Sequence, residues 1–354
     1  MEWGAPVGVQ AWPKASGPAR AAPLWEAFLE GFGFGEDPFD VDYVSARPGL
    51  QSEQSRRTVG RLADGIGSSA PPRVLLVGPE GSGRTLFMHS LAMRIRANRM
   101  QVAGYIDARA VGQPAEADQV RLHARQSLKR LLKTKGVVLI DNADGMFSEI
   151  REPSTARTRY VLGISPHTYS KVLQSEGGAG NYLVHSLAPL QGRMEIEELL
   201  RSLVASGVSE GEPFDEEAYE AISSKSMGLP GLATELASAS LWVAGWIGAT
   251  KVTRAVAERV SEYLHYGVAN GVASGSIRLN HIRAFIVNEA LGLFYTKGDI
   301  RRNDLATRFR GTPGSVLEHH LSILTEQELL SKSRYGHRVR YDMPRPVRAA
   351  LQIL

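Results

Sequence analysis

The stretch VLLVGPEGSGRTLF, from Val74 to Phe87, constrains this chain more than any other. A short apolar run bounded by turn residues suits a buried parallel strand. The run ends at Gly78, and Gly83 and Thr85 follow at the spacing Gly-x-x-x-x-Gly-x-Thr. Glycines at such a turn let backbone N–H groups close around a phosphate chain. The helix that follows adds the positive end of its dipole. Gly78, Pro79, Glu80, Gly81, Ser82, Gly83, Arg84, Thr85 and Leu86 are therefore the expected contacts of a nucleotide, ATP or ADP, and Thr85 is an expected ligand of Mg²⁺. Arg84 stands where such loops carry lysine. It keeps the charge, but its planar fork is bulkier and prefers bidentate geometry.

A phosphate loop needs an acidic residue at the end of a second buried strand. The segment GVVLIDNAD supplies it, with Val137–Ile140 as the strand and Asp141 as the expected second Mg²⁺ ligand. Asn142 then occupies the place of a water-activating glutamate, and an amide cannot accept a proton from attacking water. Asp144 is the nearest carboxylate that could replace that base, one helical turn or loop step further on.

Around these motifs strands and helices alternate. Helices are expected over 51–66, 85–97 and 119–133, and strands over 74–77, 102–106, 137–140, 160–164 and 182–185. That order implies a parallel sheet with right-handed crossovers. From Arg193 the pattern becomes helical only, over 194–205, 215–226, 230–247 and 253–271, with Asp215 and Thr253 as N-caps. The Gly/Ser-rich break 271–276 reads as a linker. Residues 1–23 lack periodicity and read as an arm, and the aromatic segment after them, with Trp25, Phe28, Phe32, Phe34 and Phe39, reads as an apolar strap or a docking peptide. The expected division is 1–45 arm and strap, 46–192 α/β P-loop NTPase core (parallel sheet with flanking helices), 193–272 α-helical lid domain, and 277–354 winged-helix domain.

The last part carries 13 Arg and Lys against 7 Asp and Glu, an excess of +6, while residues 1–276 carry −2. Helices over 279–293 and 300–309, a third starting at Pro313, and two β-like runs over 329–334 and 338–341 make the winged helix. Val316, Leu317, Leu321 and Leu324 are expected to pack inward. Ser315, Glu318, His319 and Ser322 would face out from the third helix, and Lys332, Arg334, His337, Arg338 and Arg340 would decorate the wing. With Arg301, Arg302, Arg308 and Arg310 near the turn, the module suits double-stranded DNA. The expected DNA contacts are Arg310, Ser315, His319, Lys332, Arg334, Arg338 and Arg340. Use of the same module for protein contacts alone is the alternative. The chain has no cysteine, which excludes disulfides and thiolate chemistry. Its most apolar stretch, Ala237–Ala249, falls short of the ~20 residues that span a bilayer. No membrane partner is expected, and the protein reads as soluble, cytoplasmic and nucleoid-associated.

With these residues in place, residues 45–354 resemble the AAA+ ATPases, with the pattern of the initiator clade of origin-recognition and cell-division-cycle loader proteins. RYVLGIS matches the strand that ends in the sensor 1 residue, here Ser165. YLVHSLAPLQGRMEIEELL matches the entry to the lid, and GLPGLATELA matches the sensor 2 region. That helix normally begins with an arginine, and here Gly231 holds the place. Arg157, Arg159 and Arg193 are candidate fingers toward a neighbouring subunit, or structural ion pairs. The resemblance implies a DNA-binding AAA+ protein of replication-initiator type that binds ATP or ADP with Mg²⁺. Arg84, Asn142 and Gly231 together imply weak or absent hydrolysis, as in a pseudo-ATPase working in a homo- or hetero-oligomer with a protein partner. A P-loop switch transcriptional regulator and a non-catalytic assembly subunit are the alternatives.

Overall fold

The computed structural model describes residues 29, 38–39, 53–68, 73–107, 136–147, 158–174, 182–190, 192–207, 211–309, 313–335 and 338–353. The expected helix over 119–133, Trp25, Phe28, Phe32, Phe34, Arg157, Arg310 and His337 lie outside these residues.

Five parallel strands form the first layer: β1 (Arg73–Val77), β2 (Val102–Asp107), β3 (Gly136–Asp141), β4 (Thr158–Ile164) and β5 (Leu183–Ser186). Their order is β2-β3-β4-β1-β5. Strands β1 and β3 are near-continuous apolar runs because both their faces are covered. Leu75, Val77, Val138, Ile140, Leu162 and Ile164 enter one core cluster, while Val74, Leu76, Val137, Leu139 and Val161 enter the other. Successive residues of β1 thus alternate between the two clusters, the period of two that a pleated strand imposes. Helices α1 (Glu53–Ser68) and α2 (Arg84–Ala97) build the second cluster through Val59, Leu62, Ala63, Ile66, Phe87, Met88, Leu91 and Ile95. Helix α3 (Pro166–Gln174), absent from the elements expected on sequence, supplies Val172 to the first.

A helical domain follows, with α4 (Arg193–Gly207), α5 (Glu216–Lys225), α6 (Pro230–Trp246), α7 (Arg254–Tyr263) and α8 (Tyr266–Ala273). Asp215 caps α5, its side chain accepting from the Ala218 N–H at 2.7 Å. Thr253 holds the N-cap position of α7 without a side-chain cap bond. The single helix expected over 253–271 is two helices, broken where His265 takes φ 64°. Phe39 is buried here, edge-on to Phe214. The expected linker over 271–276 is instead the end of α8 followed by a turn: the Ile277 N–H donates to the Gly271 carbonyl at 2.8 Å.

The last module comprises α9 (His281–Lys297), β6 (Ile300–Arg301), α10 (Arg302–Arg308), α11 (Gly314–Glu326), β7 (Ser331–Tyr335), β8 (Arg338–Asp342) and α12 (Arg345–Ile353). Asn280 caps α9 through its side chain. Ile300–Arg301, expected as helix, pairs with β8 instead, giving an antiparallel sheet of order β6-β8-β7. Leu317, Leu321 and Leu324 are buried as their spacing requires, but Val316, expected inside, is exposed. Helix α12 is a further element beyond those expected. None of the described helices is long and apolar enough to cross a membrane.

Candidate nucleotide site

The strand order decides which chain ends meet. Strand β4 lies between β1 and β3, so the loop after β1, Asp141 at the end of β3 and Ser165 after β4 share one edge of the sheet. Ligands of open parallel sheets bind at such carboxyl edges. The loop itself turns through two glycines in the left-handed region, Gly81 at φ 83° and Gly83 at φ 84°. Helix α2 then starts at Arg84 with no side-chain cap, which leaves its first N–H groups aimed at the loop.

The two expected Mg²⁺ ligands are in contact. The Thr85 hydroxyl donates to Asp141 Oδ2 at 2.5 Å, and the Tyr105 hydroxyl reaches the same oxygen at 3.3 Å. Asp141 is fully buried. These hard oxygen donors suit Mg²⁺, which takes one or two protein ligands and keeps the rest of its shell for water and phosphate.

Arg84 is buried. Its Nη2 donates to Asn142 Oδ1 at 3.1 Å, so the two departures from the usual pattern satisfy one another. Its Nη1 is buried with no hydrogen-bond partner among the described residues, and Ser82 Oγ is in the same state. Buried polar atoms are normally paired. A buried guanidinium nitrogen without an acceptor, beside left-handed glycines and an uncapped helix start, fits a phosphate oxygen.

Asp144 turns one carboxylate oxygen to Ser165. Its Oδ1 accepts from both the backbone N–H and the hydroxyl of Ser165, at 2.8 and 2.6 Å. Ser165 Oγ in turn accepts from the Thr168 N–H at 3.2 Å, so Ser165 caps α3 with Pro166 at the first helical position. That Ser-Pro pair is the sequence signal from which α3 could have been found.

Gly231 has a steric reason. Its N–H donates to the Gly81 carbonyl at 2.7 Å. A Cβ there would come within 2.9 Å of Gly81 Cα and 3.0 Å of its carbonyl oxygen. The helical domain therefore closes backbone to backbone on the phosphate loop, and a longer side chain at 231 would hold it off.

The loop is also gripped from the far end of the chain. Glu80 accepts from Arg348 Nε at 2.8 Å and from Nη2 at 3.0 Å, and Arg345 Nε lies 3.2 Å away. The Glu80 N–H donates to Gln352 Oε1 at 2.9 Å. Burial pushes the Glu80 carboxyl up. The charge and hydrogen bonds of Arg348, helped by Arg345 and Arg84, outweigh this and hold it below the usual carboxylate range. Arg348 also stacks on Phe294 at 4.0 Å, and Arg345 Nη1 pairs with Glu235 of α6 at 2.6 Å. Sequence reasoning misses Arg345, Arg348 and Gln352. Their signal is present nonetheless: PRPVRAALQI starts with prolines and carries Arg345, Arg348 and Gln352 at helical spacing.

The other expected residues divide by exposure. Ser315, His319, Ser322, Lys332 and Arg334 are exposed on α11 and β7. Arg338 lies on β8 opposite Tyr335. Arg340 is partly buried, 3.8 Å from Asp299, which also pairs with Arg301 at 2.8 Å. Arg302 pairs with Glu318. Arg193, exposed, pairs with Glu197 and Glu220. Arg159 donates to the Ile66 carbonyl.

Residues 74–164 match the sequence model of the ATPase family associated with various cellular activities, AAA. Among solved structures, the chain is similar to the ORC2 protein of Aeropyrum pernix, in ADPNP and ADP complexes: 14% identity, 90% of this chain and 96% of that one covered, TM-score 0.47. It is similar to Cdc6p from Pyrobaculum aerophilum, at 16% identity, 90% and 97% coverage and TM-score 0.46. For the Aeropyrum pernix ORC1 protein in complex with DNA the values are 15%, 89%, 95% and 0.46. No curated protein matches.

Proposed function

We propose that the chain is an AAA+-type, DNA-binding protein of replication-initiator kind that holds ATP or ADP with Mg²⁺ as a structural staple and hydrolyses it weakly or not at all. The observation that carries the nucleotide part is the buried Nη1 of Arg84, which has no partner among the described residues, beside the Thr85–Asp141 pair. The amides of the glycine loop and Arg84 would hold phosphate, and Thr85 and Asp141 the metal. Bound nucleotide brings a phosphoanhydride bond whose cleavage needs an activated water. In this chain Asn142 cannot take that water's proton, Asp144 turns one of its oxygens to Ser165, and Gly231 contributes only backbone.

DNA binding rests on the C-terminal module. Its helix order, with a two-stranded hairpin after α11, supports a winged-helix reading. The outward residues of α11 and the cationic β7 offer a groove-reading helix beside backbone contacts. The initiator assignment and a partner subunit rest on the sequence resemblance over residues 45–354.

Titration of labelled ATP and ADP, with and without Mg²⁺, followed by a turnover assay, tests this reading. Binding that strengthens with Mg²⁺, loses that response in Thr85→Ala and shows no vigorous turnover supports it. Absence of binding to either nucleotide, or rapid turnover by the isolated chain, overturns it.

A further inference from the structure

The phosphate loop carries a carboxylate at its tip. Glu80 sits between Pro79 and Gly81, inside the segment whose backbone would face a polyphosphate in the reading above. An uncompensated carboxylate in a poorly hydrated loop opposes any anion brought beside it. In this chain it never stands alone. Arg348 holds it with two bonds, Arg345 touches it, and Gln352 takes the loop's own N–H. All three belong to α12, near the other end of the chain. Arg345 bridges onward to Glu235 on α6. The phosphate loop, the helical domain and the C-terminal module therefore meet in one cluster of two carboxylates and two guanidinium groups. Arg348 Nη1 donates to the Met343 carbonyl, and Gln352 donates to the Tyr295 hydroxyl. Arg348 is thus held by the C-terminal module as well as by Glu80, while Arg345 is held by Glu235 of α6.

We infer that α12 completes the nucleotide site: Arg348, aided by Arg345, neutralises Glu80, so nucleotide affinity is set by whether the C-terminal module is docked. The inference rests on the nucleotide reading above. Undocking α12 bares the Glu80 carboxylate and weakens nucleotide binding. By linkage, bound nucleotide holds α12 in place to the same degree. A ligand of the C-terminal module that pulls α12 away would then release nucleotide, with no catalytic step needed. Arg348 is a positioning residue here, acting on the ligand through Glu80.

The test measures ADP and ATP dissociation constants on the full-length chain for wild type, Arg348→Met, Glu80→Gln and the Glu80→Gln/Arg348→Met double variant. Amide exchange of 345–353 in the wild type is followed with and without ADP. The expected result for Arg348→Met is affinity weakened about ten-fold or more, within the usual range of site-to-site coupling. The double variant, which carries no bare charge, returns to within about three-fold of wild type because the opposing carboxylate is gone. ADP slows exchange in α12. If wild type binds and Arg348→Met binds equally well, the inference falls while the nucleotide reading stands. If the double variant is as weak as Arg348→Met, the effect is loss of structure and the inference falls. Unchanged exchange of α12 on ADP binding also overturns it. If wild type binds neither nucleotide, the nucleotide reading fails first, and this inference with it.

Discussion

The rim of the phosphate loop and the β7 strand of the hairpin are both cationic, yet their charges do opposite work. At the loop, Arg84, Arg345 and Arg348 point inward onto Asn142, Glu235 and Glu80. On β7, Lys332 and Arg334 are exposed. Burial makes the difference: a buried guanidinium must be paired, while an exposed one costs little to leave in water. Charge counted along the sequence cannot see this. The +6 of residues 277–354 includes Arg345 and Arg348, which are neutralised by Glu235 and Glu80 of the other domains. The excess left for an outside polyanion is therefore 6 − 2 = +4.

The sharpest way to break this contrast is to cut the inward pair. Arg348→Ala leaves Glu80, itself part-buried, with Arg345 in contact and Arg84 nearby as its remaining cations. A loss of about 1.5–3 kcal/mol is expected, the range for hydrogen bonds to a charged group. Urea unfolding measures it. A loss under ~1 kcal/mol, typical of surface pairs, would mean that the loop and the hairpin do not differ in kind.

The next test concerns backbone approach. Gly231→Ala drives a Cβ into Gly81 and should cost about 1–3 kcal/mol, as overpacking does. Gly267 lies in α8, where an added Cβ would meet nothing within 4 Å. Gly267→Ala should be neutral or stabilising by up to ~1 kcal/mol, the helix preference of alanine over glycine. Equal responses at the two sites, read by the same urea unfolding, would remove the steric account of Gly231.

Acid should loosen the same inward contacts in two stages. His167 on α3 is held below its ordinary value of 6.5 by burial and then by Lys171, against the opposing pull of Asp144, Asn288 and Glu289. A histidine kept neutral by the fold contributes stability above that pH and loses it as pH falls below. Glu80, depressed from 4.5, contributes above that value and loses its contribution as pH falls through its folded value. Amide exchange in α9 and α12 should therefore quicken first below about pH 6.5 and again below about pH 4.5. Glu80→Gln should abolish only the second step.

What the sequence showed and what it hid follow from how local each signal is. The glycine loop, β1, β3 and Asp141 were legible because a strand, a turn and a helix start need only near neighbours. Leu317, Leu321 and Leu324 were legible from helical spacing. Strand β6 was not: two residues, Ile300 and Arg301, become strand only because Tyr341 and Arg340 lie across from them. The break at His265 rests on a left-handed residue with no glycine to announce it. The grip of α12 on Glu80 joins residues 268 apart in the chain, and no spacing rule spans that distance. The sequence did mark positions 84, 142 and 231 as departures. Only the fold shows that 84 and 142 satisfy each other and that 231 must be bare.

The smallest expected effect on stability belongs to the outward charges, and there the comparison turns from stability to binding. Lys332→Ala/Arg334→Ala removes two exposed cations from β7. Lys332 lies 5.9 Å from the Tyr341 ring, a loose cation–π contact, and Arg334 is exposed. Stability should change by no more than about 0.5 kcal/mol, as for most surface substitutions. If these side chains meet DNA phosphates, affinity should fall nearly equally for every duplex sequence. The dependence of log affinity on log salt should become shallower by about 2, roughly one for each lost phosphate contact. A variant that unfolds like wild type and binds duplex DNA with an unchanged salt slope would show that the outward charge has another use, and that the module's contacts run through protein instead.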